Sequence, residues 1–219
     1  MDVDRPGPGE ELNDGAVTAP RQAATVIVLR GGAQTLEVLL VQRNPAQRFM
    51  GGAWVFPGGA VDAGEGEGDG AHRAAAVREL AEEAAIEGVD PDELVRFSQW
   101  ITPPEVKIRF DTHFFLVAAP PGAQARVDGA ECVDFGWFTP QDALAAYAEE
   151  RLLLVFPTIK HLEQLSGFAT ADVLLEHARG REVVAVTPRV VMGERGGEQA
   201  RILLPGEPGY DDAPPPEGG

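Results

Sequence analysis

The sequence predicts an α/β fold of the α+β kind, a mixed β-sheet with helices on both faces. Two observations carry that prediction. Short β-branched runs alternate with helix-patterned stretches, yet the crossovers are too irregular for a regular parallel sheet of βαβ units. Hydrophobic residues make up 44% of the 219, enough to build a core instead of a disordered chain.

Taken in order, residues 1–20 are rich in Gly, Pro, Asp and Glu and are expected to form a flexible tail, as are residues 207–219, which contain Pro214-Pro215-Pro216. Residues 21–206 between them form the folded domain. Ala24 to Arg30 and Glu37 to Arg43 are β-branched runs joined across Gly31-Gly32 and predict neighbouring strands. Trp54 to Phe56 is a brief strand entering a Pro-Gly-Gly turn, and a helix follows from about Ala71 to Ala85. Phe97 to Ile101, Thr112 to Ala118 and Glu131 to Phe138 predict further strands. Thr139 is placed to cap a helix with Pro140 at its first position. Helices are expected over Thr158 to Leu165 and Thr170 to Arg179. A final hairpin is expected from Val183 to Met192 and Ala200 to Leu204 across Gly193 to Gly197. The role of residues 158–204 stays open at this point: capping the sheet, lining a pocket, or making a homodimer contact.

Charge narrows the function classes. Eighteen Lys plus Arg against 35 Asp plus Glu give a net charge of -17, which argues against a nucleic-acid surface built on many phosphate contacts. A small phosphorylated substrate is compatible with it, because a metal ion and a few local arginines can attract one phosphate group. Cys132 is the single cysteine, so no intramolecular disulfide forms, and a reducing, cytoplasmic setting is expected. The first residues lack a basic and an apolar region, so no signal peptide is expected. No apolar run approaches the ~20 residues that cross a bilayer, so no membrane partner is expected.

Phe56 to Ile86 is the stretch richest in chemistry. Phe56-Pro57-Gly58-Gly59 leads through an acidic, glycine-rich loop into Arg78-Glu79-Leu80-Ala81-Glu82-Glu83. Carboxylates at i, i+3 and i+4 share one helical face with Cβ atoms about 5–6 Å apart. Ala74, Val77, Leu80, Ala81 and Ala84 fall on the other, so the acids are expected to point outward over a buried stripe. Alone, such a trio also describes an ordinary solvated helix face. Packed together, the three charges raise one another's pKa, and a hard divalent cation bound through oxygen removes the conflict. Ala75 and Ala76, one turn earlier, are expected to leave room for metal and phosphate.

The segment resembles the Nudix box, G-x5-E-x7-R-E-U-x-E-E-x-G-U, where U is aliphatic. Gly59 and Glu65 fit its opening, and Arg78, Glu79, Leu80, Glu82 and Glu83 fit its second half. Twelve residues separate Glu65 from Arg78 where the pattern has seven, and the excess falls in Gly66-Glu67-Gly68-Asp69-Gly70. Glu67 is therefore an alternative to Glu65. Ala85 stands where the pattern has glycine; a left-handed cap there costs alanine about 1 kcal/mol, so the helix is expected to run on to Gly88. Upstream, Leu39-Leu40-Val41-Gln42-Arg43, Arg48, Gly52 and Phe56-Pro57-Gly58-Gly59 resemble the motif of coenzyme A diphosphatase-like Nudix proteins, with Val41 and Asn44 departing from it. Trp100-Ile101-Thr102-Pro103 through Arg109-Phe110-Asp111-Thr112 is similar to the branch that includes peroxisomal coenzyme A hydrolases.

The resemblance implies a Nudix-type α/β/α sandwich and hydrolysis of a nucleoside diphosphate linked to another moiety, with Mg2+ (or Mn2+) as cofactor and a small-molecule nucleotide as substrate. Coenzyme A or acyl-coenzyme A is the expected substrate. ADP-ribose, NADH or another nucleotide sugar is the alternative, and a Nudix-fold binding module without catalysis is the alternative of another class. By the resemblance Glu79, Glu82 and Glu83 ligate the metal with the Gly59 carbonyl, and Glu79 and Glu82 count as catalytic. Gly58, Glu65 and Arg78 are structural members of the box, Arg78 orienting a box glutamate. Glu131, just before Val133 to Phe138, is the expected general base, and Glu105 is the second candidate. Arg43, Arg48 and Arg109 are expected to bind substrate, with Lys107 a further phosphate contact. His72 is expected to be exposed.

Overall fold

The computed structural model describes residues 11–13, 17–191 and 201–212. Its centre is a mixed sheet of β1 (Arg21–Arg30), β2 (Glu37–Arg43), β3 (Trp54–Val55), β4 (Gly58–Ala60), β5 (Val95–Ile101), β6 (Phe110–Ala118), β7 (Cys132–Phe138) and β8 (Ala185–Val186). The order is β3-β2-β1-β6-β5-β8, with β4 on β1 and β7 on β2. β1 runs parallel to β6 from Arg21↔Phe110 to Leu29↔Ala118, β5 runs parallel to β8, and the other pairings are antiparallel.

One edge of β1 is divided between two strands, and that division builds the site. β2 pairs with β1 only at Leu29 and Arg30, then leaves to run along β7. The edge it vacates at Ala23–Thr25 is taken by β4, so the two glycines of the Pro-Gly-Gly turn become strand residues opposite Ala24 and Thr25.

Strand alternation sends side chains to two cores. Ala24, Val26, Val28, Leu39 and Val41 face α1 (Gly68–Ala84), while Ile27, Leu29, Val38 and Leu40 face the layer of α2 (Pro140–Ala148), α3 (Phe156–Leu165) and α4 (Ala171–Ala178). The architecture is the expected α+β sandwich. Thr139 caps α2 by accepting from the Asp142 N–H, and Thr170 caps α4 by accepting from the Val173 N–H. No helix among the described residues is long and apolar enough to cross a membrane.

Three expectations are corrected. Helix α1 does not run on to Gly88. It ends at Ala84, and Ala85 itself takes the left-handed conformation with φ 52°. On a continued helix Ile86 and Val89 would sit opposite Leu80; the left-handed turn folds them back beside it, where they are 2% and 6% exposed. That burial offsets the alanine's backbone cost.

The stretch Val183 to Met192 is not one strand. Pro188, which has no N–H to donate, separates β8 in the main sheet from β9 (Arg189–Val191). β9 pairs antiparallel with β10 (Arg201–Leu203), and the expected Gly193–Gly197 turn lies outside the described residues.

The expected tails are held in part. The Glu11 carbonyl accepts from the Lys107 N–H, the Asn13 N–H donates to Glu105, and Leu12 bridges to Val106. At the other end the Tyr210 hydroxyl donates to the Thr187 carbonyl at 2.7 Å. Residues 1–10, 14–16 and 213–219 lie outside the described ones.

Candidate active site

Helix α1 carries the acids, but not on a uniformly outward face. Its buried residues are Ala71, His72, Ala75, Ala76, Leu80, Glu83 and Ala84. Glu83 follows Ala76 by two turns and shares its direction, so the helix's own apolar stripe draws this carboxylate under the sheet. Glu83 is 3% exposed, Glu79 is largely buried, and Glu82 alone stays open. Ala75 and Ala76 are fully packed beneath β1 and leave no room for metal or phosphate, contrary to expectation.

Glu79 and Glu83 face inward and toward β4. The Gly58 N–H donates to Glu83 Oε2 at 2.9 Å, and Arg43 Nη1 stands 3.7 Å from the other oxygen. Glu79 lies against Gly59 so closely that a Cβ there would overlap its carboxylate. Glycine at 59 is therefore required by this approach. Burial pushes Glu83 up to about 7, the Gly58 hydrogen bond opposes it, and the charges of Glu79 and Glu131 add to it. Burial likewise raises Glu79 against the opposing pull of Arg78.

Arg78 organises the rest. Its guanidinium donates to Glu65 at 2.9 Å, Glu79 at 2.7 Å, Glu82 at 2.9 Å and the Ala60 carbonyl at 2.9 Å. Glu65 also accepts from the Asp62 N–H at 2.7 Å. The lengthened loop thus brings Glu65 to Arg78, while Glu67 is exposed ahead of α1.

The donor chemistry suits a hard divalent cation: oxygen only, with two carboxylates that resist ionisation until a positive charge joins them. Among the described residues no three His, Cys, Asp or Glu side chains are drawn to ligating distance. Glu79 and Glu82 are turned to Arg78 instead.

The other expected residues separate into two groups. Arg43 and Glu131 are near the acids: Arg43 through its approach to Glu83, and Glu131 through the charge it exerts on Glu79 and Glu83. The Glu131 backbone is pinned, its N–H donating to Asp128 and its carbonyl accepting from the Asn44 N–H. Arg48, Arg109, Glu105 and Lys107 are occupied elsewhere. Arg48 is 88% exposed and pairs with Glu11 at 2.8 Å. Arg109 donates to the carbonyls of Thr102 and Thr18, so its guanidinium fastens backbone where a substrate contact was expected. Glu105 pairs with Arg189 at 2.8 Å, which ties the loop before β6 to β9. Lys107 pairs with Glu11. His72 is buried, where exposure was expected, with its ring stacked on His113 at 3.8 Å.

A feature absent from the sequence reading lies beside the acids. A cavity of about 390 Å³ is lined by Gly58, Gly59 and Ala60, by Phe49, Phe56, Trp100, Phe110, Phe114 and Phe156, and by Val190 and Ile202 of the β9–β10 ribbon. Arg21 and Arg43 are its two arginines. Segments far apart in sequence supply these walls, and no local pattern announces them. Behind the wall His161 is fully buried, its Nδ1 donating to the Pro157 carbonyl at 2.7 Å and its Nε2 accepting from the Ser98 hydroxyl at 2.6 Å. Burial pushes its pKa down to about 4.

Comparison with known proteins agrees with this geometry. The NUDIX domain family matches residues 19–158. A Caenorhabditis elegans protein described as putative nudix hydrolase 7 is 23% identical over 214 residues, covering 82% of this chain and 72% of that one. The crystal structure of a NUDIX hydrolase from Alicyclobacillus acidocaldarius has a TM-score of 0.65 at 29% identity, covering 74% of this chain and 97% of its own. The NUDIX domain of Shewanella oneidensis NrtR, solved with ADP ribose, has a TM-score of 0.52 at 21% identity, covering 67% of this chain and 86% of its own; at that identity the likeness concerns fold.

Proposed function

This chain belongs to the NUDIX family and is a Nudix pyrophosphohydrolase, and from that premise we propose that it cleaves the pyrophosphate of coenzyme A or an acyl-coenzyme A. The observation that carries the substrate reading is the wall made by Gly58–Ala60. Glu79 and Glu83 press on that strand from α1, and the same three residues line the aromatic cavity. A diphosphate at the acids places whatever is attached to it within reach of a mostly apolar pocket, the usual character of a site for a small organic group. The upstream motif around Arg43 supports the same choice.

The reaction is attack of water on one phosphorus and departure of the other phosphate through the bridging oxygen. Glu79, Glu82 and Glu83 would hold Mg2+ or Mn2+, with the Gly59 carbonyl a further ligand. When bound, such a cation offsets phosphate charge and lowers the pKa of a bound water. The chain's own residues do the remaining work. Arg78 fixes the directions of Glu79 and Glu82 through its fork of hydrogen bonds. Gly58 fixes Glu83. Glu131 accepts the proton of the attacking water, and Arg43 offsets charge where cavity and acids meet. The products are adenosine 3′,5′-bisphosphate and 4′-phosphopantetheine or its acyl form. Cys132 is buried, with its thiol pushed up to about 12, which suits a cytoplasmic protein with no redox role for this residue.

The test is product identification with coenzyme A and Mg2+ or Mn2+. Release of adenosine 3′,5′-bisphosphate is expected. Turnover of ADP-ribose with none of coenzyme A overturns the substrate while leaving the reaction class in place.

A further inference from the structure

We propose that Arg21 binds a second phosphate group of the substrate, a phosphomonoester on the nucleoside, in addition to the diphosphate that is cleaved. This deepens the coenzyme A reading and rests on it.

The arginines around the site differ in what they already hold. Arg78 is engaged by three glutamates, Arg43 by Gln47 and Glu83, Arg48 by Glu11, and Arg109 by two carbonyls. Arg21 lines the cavity, is exposed at its rim, and has no side-chain hydrogen bond or ion pair among the described residues. In a chain with 35 acidic and 18 basic residues, a cation left unpaired beside the cavity is the group with capacity for an anion.

Its position is fixed. The Arg21 N–H donates to the Arg109 carbonyl at 2.9 Å, and the residue opens the β1–β6 pairing opposite Phe110. Arg21, Ala23 and Thr25 alternate onto one face, and all three line the cavity. Gly59, against which Glu79 lies, is opposite Ala24. Along β1, three residues, about 10 Å, separate Arg21 from Ala24, the residue opposite Gly59, and the acids press on Gly59 from the other face. That separation leaves Arg21 to a phosphate carried elsewhere on the nucleoside, apart from the diphosphate at the acids. The guanidinium fork matches a phosphomonoester with two parallel hydrogen bonds.

The experiment compares ligands with and without that phosphate on the wild-type chain, Arg21→Gln and Arg21→Lys. For turnover, the pair is coenzyme A and dephospho-coenzyme A. The wild type is expected to prefer coenzyme A in kcat/KM, through KM, and Arg21→Gln to reduce that preference about tenfold, with Arg21→Lys restoring part of it. For binding, the pair is adenosine 3′,5′-bisphosphate and AMP, measured by calorimetry. Retention of the bisphosphate preference in Arg21→Gln, or its absence from the wild type, overturns the proposal. If coenzyme A is not hydrolysed but the binding preference exists and depends on Arg21, the substrate assignment fails and the Arg21 site stands.

Discussion

The two sides of the β4 wall are built on opposite principles. On the α1 side, carboxylates are crowded and buried at the expense of their own ionisation, and Glu83 is pushed up to about 7. On the cavity side, the buried titratable group is His161, held neutral with both ring nitrogens bonded and aromatic rings of Phe56, Phe97, Trp100 and Phe114 around it. The first side carries conflict that a bound cation would relieve, whereas the second is already satisfied. On the proposed function, catalysis and substrate selection fall to different faces of these three residues, with Arg43 reaching both.

The largest effect is expected at Glu82, the exposed member of the trio. Glu82→Gln should lower kcat by about a thousandfold, the scale of losing one charge-stabilising group. Its thermal midpoint should stay within about 2 °C of wild type, because the side chain is open to solvent. Unfolding of this variant would mean that the glutamate is structural. Gly59→Ala comes next. The added methyl collides with the Glu79 carboxylate, and displacement of that group should cost about a hundredfold in kcat while KM changes little. Wild-type activity in this variant would show that Glu79 need not lie against the wall.

The cavity side is tested through pH. His161 has a folded pKa of about 4 against an unfolded value near 6.5. Between those values the unfolded chain binds more protons, so this residue's contribution is complete above pH 6.5 and is lost as pH falls toward 4. From pH 7.5 to 5 the loss is about 2 kcal/mol. Glu83 acts with the opposite sign, since its raised pKa favours the folded state as pH falls from 7. The two trends partly cancel in wild type. The measurement is therefore the difference in urea-unfolding free energy between wild type and His161→Gln at both pH values. An equal difference at pH 7.5 and 5 would remove His161 from the account.

The same contrast explains what the sequence made legible. The acid side lies within one contiguous stretch, so Glu65, Arg78, Glu79, Glu82 and Glu83 were identifiable from spacing and resemblance. What spacing did not reveal is which acid turns inward. A 3.6-residue period groups three glutamates equally, and only the continuation of the Ala76 direction to Glu83 singles one out. Strands β1, β2, β5, β6 and β7 and the Thr139 cap were legible because alternation and capping are local, whereas β4 and the break at Pro188 were not. The end of α1 was not, because burial of Ile86 and Val89 against Leu80 overrode the backbone preference of Ala85. The cavity draws Phe49, Trp100, Phe156 and Val190 from separate elements, and their convergence is a property of the topology.

Arg48 gives the smallest effect and the sharpest limit on what the upstream motif means. Its spacing to Arg43 and Gly52 matched a substrate-linked pattern, yet Arg43 reaches the acid cluster while Arg48 points to solvent and meets Glu11. An exposed pair of this kind contributes about 0–1 kcal/mol, weakened further by salt. Arg48→Gln should therefore change stability by less than about 0.5 kcal/mol and leave KM within about twofold, whereas Arg43→Gln should raise KM about tenfold because it removes the cation that faces both Glu83 and the cavity. If the two variants lose affinity equally, residues 11–13 must release Arg48 when substrate binds, and the strip they form against residues 105–107 becomes part of the site.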